Sequence, residues 1–123
     1  MKLFKIINEK KTRAMATADG EVIFPAKTIY ECEMIDDTVE YILNASGGLT
    51  LTRIRYLIAN IYNNRSFPHV ELFSLLREAD TEHEELIMDI LGISQSKYGE
   101  SCFLMINKLA PKIINKFDLK EDD

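Results

Sequence analysis

The chain changes texture at Asp36–Asp37, and that break limits the folds open to it. Before the break apolar and polar residues alternate, as in half-buried strands; after it apolar residues recur at helical spacing almost to the end. Strands followed by a run of helices predict an α+β domain. We expect a small N-terminal antiparallel sheet or hairpin of two to three strands packed against four to five helices, predominantly helical after residue 36.

The strand region reads in three pieces. Residues 2–8 carry Phe4, Ile6 and Ile7, which favour extended backbone. After the polar stretch 9–13, Asp19-Gly20 signals a turn. Val22–Phe24 resumes the pattern, and Pro25 marks an edge strand or a bulge. Over 27–35, Thr28, Tyr30, Cys32 and Met34 share one face. Asp37 with Glu40, and Thr81 with Glu84, have capping-box spacing; Thr50 is placed to cap a second helix, and Pro68 to open a third. Pro111 falls inside the last helical pattern and is expected to kink or split it. The whole of 1–123 reads as one domain: a β-rich region over 1–35, a helical region over 36–117 and a frayed tail over 118–123.

Composition excludes some classes. At 46% hydrophobic the chain is expected to fold rather than stay disordered. Its net charge of −5 argues against a general affinity for nucleic acid or anionic membranes. No apolar run approaches the roughly 18 residues of a membrane span, and Met1–Asn8 lacks the form of a signal peptide. A cytoplasmic, non-membrane protein is expected, with Cys32 and Cys102 as buried free thiols. The Ile-, Asn- and Lys-rich usage is typical of AT-rich genomes and suggests a phage or mobile-element accessory protein.

No set of residues has the spacing that catalysis or a cofactor requires. His83-Glu84-Glu85 begins like a zinc-protease motif, but Ile87 stands where the second His belongs. Ala45–Gly48 matches no phosphate-binding loop, and Cys102 is followed by Phe-Leu-Met, which argues for an inert thiol. No catalytic residue, metal or cofactor is expected.

Charge segregation is the remaining signal. Glu78, Asp80, Glu82, Glu84, Glu85 and Asp89 form an acidic run with no base among them. Such a run can be a solvated helix face, or it can dock a basic protein partner. Bases gather elsewhere, at Lys2–Arg13 and at Arg53, Arg55 and Arg65. The segment 85–98 resembles the middle of a helix-turn-helix, matching at Leu91, Gly92, Ile93 and Tyr98 and departing at Met88, Gly99 and Ser101. That resemblance implies DNA binding, with Gln95, Ser96 and Lys97 toward the groove and Arg53 and Arg55 toward phosphates. The reading favoured by the sequence is a small non-enzymatic regulatory or adaptor protein that binds another macromolecule, foremost a protein. A DNA-binding regulator is the alternative. Uncovered strand edges near Val22–Phe24 leave a homodimer open.

Overall fold

The computed structural model describes residues 1–26, 28–93 and 100–121. Four strands precede five helices: β1 (Phe4–Lys11), β2 (Met15–Ala16), β3 (Val22–Phe24), β4 (Thr28–Met34), α1 (Asp36–Asn44), α2 (Leu49–Tyr62), α3 (Leu72–Glu78), α4 (Thr81–Leu91) and α5 (Glu100–Phe117). The fold is α+β, as the texture of the sequence predicts. Among the described residues no helix is long and apolar enough to cross a membrane.

The strands form two nested antiparallel ladders, β1 with β4 and β2 with β3, instead of one sheet. β1 runs to Lys11, through residues that read as a polar linker, because cross-strand pairing with β4 continues to Thr28. A bulge between Ile6 and Asn8 breaks the register, so Ile7 has no partner on β4. At the tip Gly20 has φ 85°, a conformation that glycine adopts without steric cost. Its N–H donates to Thr17 O at 2.9 Å, closing the turn.

The helices supply the core. Ile54 and Ile58 of α2, Leu86, Ile87 and Ile90 of α4, and Ile106 and Ile113 of α5 are completely buried. Leu3 and Phe4 join them and carry the start of β1 onto the helices. Four hydrogen bonds fix that start. Asp89 Oδ2 accepts from the backbone N–H groups of Leu3 and Phe4 at 2.7 and 2.8 Å. Thr38 Oγ1 donates to Lys2 O at 2.6 Å, and Ile35 N donates to Leu3 O at 2.8 Å.

Several local expectations are corrected. α1 has no side-chain cap: Ile35 holds the N-cap position, with Asp36 and Asp37 in the first turn. Gly48, not Thr50, precedes α2. Asp80, not Thr81, caps α4, its side chain accepting from His83 N. α3 starts at Leu72, so Pro68 lies in the connection before it. α5 is one helix with Pro111 inside it, so proline does not split it; its missing N–H leaves one gap in the ladder. The tail folds back as far as Lys120: Leu119 is buried, its N–H reaches Ile114 O at 3.1 Å, and Lys120 N donates to Tyr56 Oη at 3.1 Å.

Candidate partner-binding surface

Four of the six acids of the run have partners within the chain. Glu78 ends α3 and pairs with Arg53 at 2.5 Å, while Glu71 pairs with the same guanidinium at 3.0 Å. Asp80 Oδ1 accepts from His83 N at 2.8 Å and lies 2.9 Å from His83 Nδ1. The backbone N–H of His83, with the ring beside it, holds the Asp80 carboxyl below its ordinary range. The His83 ring is not freely solvated, because its Nε2 is 2.7 Å from Tyr41 Oη. Glu85 lies 2.7 Å from the Met1 amino group, and that hydrogen bond lowers its pKa. Asp89 is only 5% exposed and serves the start of β1, so it cannot meet a partner. Among the described residues of the run, Glu82 and Glu84 remain exposed without an ion pair. Of the six clustered acids, two thus have no ion pair, and Asp89 is the one that burial withdraws from the surface.

The residues of the DNA-binding alternative fare similarly. Arg53 is held between Glu71 and Glu78. Arg55 is 4% exposed and donates to Ile42 O and Ala45 O, so it cannot reach phosphate. Gln95, Ser96 and Lys97 lie outside the described residues, as does the turn of the helix-turn-helix resemblance.

A cleft of about 630 Å³ beside the end of α2 is lined by Asn60, Tyr62, Asn63, Arg65, Ile93 and Phe103. Asn60 donates to Phe67 O and Asn63 accepts from Ser66 N, so both amides are engaged. A second groove, about 350 Å³, has an apolar floor that includes Met34, Val39, Met105 and Leu109. Among the described residues no three His, Cys, Asp or Glu side chains come together as metal ligands do.

The thiols are neighbours. Cys32 on β4 and Cys102 on α5 are both buried and free. Burial, then a hydrogen bond with Cys32, pushes the Cys102 thiol up to about 12. A thiol that keeps its proton at neutral pH is a poor nucleophile. Native protein at pH 8 should therefore leave Cys102 unreacted toward a chromogenic disulfide reagent for hours, and should react at both thiols once unfolded in guanidinium. Prompt reaction of Cys102 in the folded state would contradict that burial.

What sequence reasoning misses is the exposure of the strands. β1 is buried only at Phe4; residues 5–11 are all exposed. β4 is covered at Cys32 and half-covered at Tyr30 and Met34, where it meets α5. The two ladders form an arm with seven large apolar side chains 48–61% exposed: Ile6, Ile7, Met15, Val22, Ile23, Phe24 and Ile29. Alternation in the sequence marks these residues as strand-forming, but it does not say whether a layer covers them. Comparison with protein-family models, curated proteins and solved structures finds no match to this chain.

Proposed function

We propose that this protein is a non-enzymatic regulator or adaptor that works by binding another protein, and that its β arm, not the acidic run, is the docking element. The observation that carries this reading is the concentration of half-exposed apolar side chains within residues 6–29. Exposed apolar clusters of this kind are typical of interaction surfaces, because they are a solubility liability unless something covers them. A two-stranded ribbon is also marginal in water by itself. The arm therefore gains most from a partner with an apolar surface.

Affinity capture with tagged protein, in the presence of nuclease, tests the reading. Wild type should retain a stoichiometric protein, and Ile23→Asp with Phe24→Asp should lose it while keeping the helical circular dichroism of the parent. Fold retention is expected because both side chains are more than half exposed and lie outside the core. Retention of the partner by the double variant would remove the arm from the model. Recovery of nucleic acid in place of protein, in a capture run without nuclease, would favour the DNA-binding alternative.

A further inference from the structure

We propose that the groove between β4, α1 and α5 binds a short apolar peptide with free ends, two or three residues long, its carboxylate on α5 and its ammonium toward the start of α1. The site is separate from the arm and goes beyond the docking reading. Three elements enclose it. β4 ends at Met34, Ile35 holds the N-cap of α1, and α5 packs against both, leaving a gap of about 350 Å³. Met34, Val39, Met105 and Leu109 form its floor. Leu109 is buried and the other three are half-buried, so the floor is continuous with the core.

Charge selects the ligand. Lys108 and Lys112 stand one turn apart on α5, and among the described residues neither has an ion pair. The wall formed by β4 and α1 carries Glu33 and Asp36. Its one neighbouring base, Lys5, lies 2.9 Å from Glu33. Glu33, and after it Asp36, holds the Lys5 ammonium above its ordinary range, so that base is already committed. One wall is left positive and the other negative, and no ion pair crosses the groove. A lone anion satisfies only the α5 wall, and an organic cation only the facing one. An apolar chain with an ammonium at one end and a carboxylate at the other satisfies both.

Size selects a peptide of this length. From Met105 to Lys112 α5 rises about 10 Å. A volume of about 350 Å³ over that length leaves a channel about 6 Å across. That width admits an extended chain, which occupies about 4.8 Å, and not a helix about 10 Å in diameter. Three extended residues reach about 10 Å. In such a peptide the first and third side chains share one face, which places two apolar groups on the floor. Met34 and Met105 are unbranched and adapt to either.

Titration of ¹⁵N-labelled protein with trileucine, followed by NMR, gives the decision. Amide signals of Met34, Val39, Met105 and Leu109 should shift and saturate by about 10 mM peptide. Acetylating the amino end, or amidating the carboxyl end, should weaken binding about threefold. Lys108→Glu with Lys112→Glu should bind the amidated peptide more tightly than the free acid, the reverse of the wild-type order. Both lysines are exposed, so this variant should keep the helical circular dichroism of the parent. Ile23→Asp with Phe24→Asp should bind trileucine as wild type does, because neither residue lines the groove. Absence of a saturable shift, shifts confined to other residues, or equal binding of free and end-blocked peptides overturns the proposal. So does an unreversed order in the double-glutamate variant, or loss of binding in the arm variant. Free leucine binding as tightly as trileucine overturns the peptide and assigns the groove to an amino acid.

Discussion

Replacing Asp89 with Leu is expected to lower the unfolding free energy by about 3 kcal/mol or more. Asp89 Oδ2 is the acceptor for two backbone N–H groups, Leu3 at 2.7 Å and Phe4 at 2.8 Å. The residue is 5% exposed, and Leu3 and Phe4 are 0% and 2% exposed, so water cannot replace the carboxylate. Each buried N–H left without a partner costs about 1–3 kcal/mol, and bonds to a charged acceptor lie toward the top of that range. Leucine preserves much of the volume, which isolates the polar loss from a cavity. Asp89→Asn keeps one carbonyl oxygen where Oδ2 stands, so it can retain both bonds without the charge and should lose about half as much. Urea unfolding followed at 222 nm measures both variants. With a slope of about 1–2 kcal/mol/M for a domain of this size, the leucine variant should shift the midpoint by about 2 M. A shift below about 0.5 M would mean that the apolar contacts of Leu3 and Phe4 alone hold the strand on the helices. The effect should also reach the arm, since Asp89 fixes the point from which β1 leaves the core.

The helices are legible in the sequence because their stripes are regular: Ile54, Ile58 and Ile61, or Leu86, Ile87 and Ile90, repeat as a half-buried helix must. Thr28–Met34 is legible for the same reason at period two. The roles of Asp89 and Arg55 are harder to read, although a signal is present. Asp89 lies three after Leu86 and four before Ile93; Arg55 lies four after Leu51 and three before Ile58. Both positions fall inside an apolar stripe. The general rule that charged side chains are exposed hides them, and that rule fails where a charge is fully hydrogen-bonded. The partners of the acidic run are hidden for a related reason. Sequence density of charge says nothing about which carboxylates the fold will use, and Arg53, the start of β1 and the α4 cap use most of these. The arm is legible as strands and illegible as a surface, because burial is decided by neighbours distant in sequence.

Arg55 gives the second large effect, and the order of its variants is the informative aspect. Its Nε donates to Ile42 O at 3.0 Å and its Nη2 to Ala45 O at 2.7 Å. These carbonyls belong to the C-terminal end of α1, where helix carbonyls lack intrahelical donors and the dipole favours a cation. The guanidinium also lies 3.6 Å from the centroid of the Phe117 ring. Burial pulls the Arg55 pKa down, yet a guanidinium stays protonated at any working pH. Arg55→Lys retains the buried charge and its desolvation but loses the planar fork that spans two carbonyls and stacks on the ring. Arg55→Met removes the same bonds and also removes the charge, so the desolvation cost disappears with them. Lysine should therefore be the worse substitute, by about 1–2 kcal/mol, although it is the conservative one by charge. Against wild type we expect losses of about 3 kcal/mol for lysine and about 1–2 kcal/mol for methionine. Paired urea melts decide the order. If lysine proves as stable as wild type, a point charge suffices at the end of α1, and the two-carbonyl fork and the Phe117 stack contribute little. If methionine proves worse than lysine, the cation itself outweighs its desolvation, and the dipole of α1 is the dominant partner of Arg55.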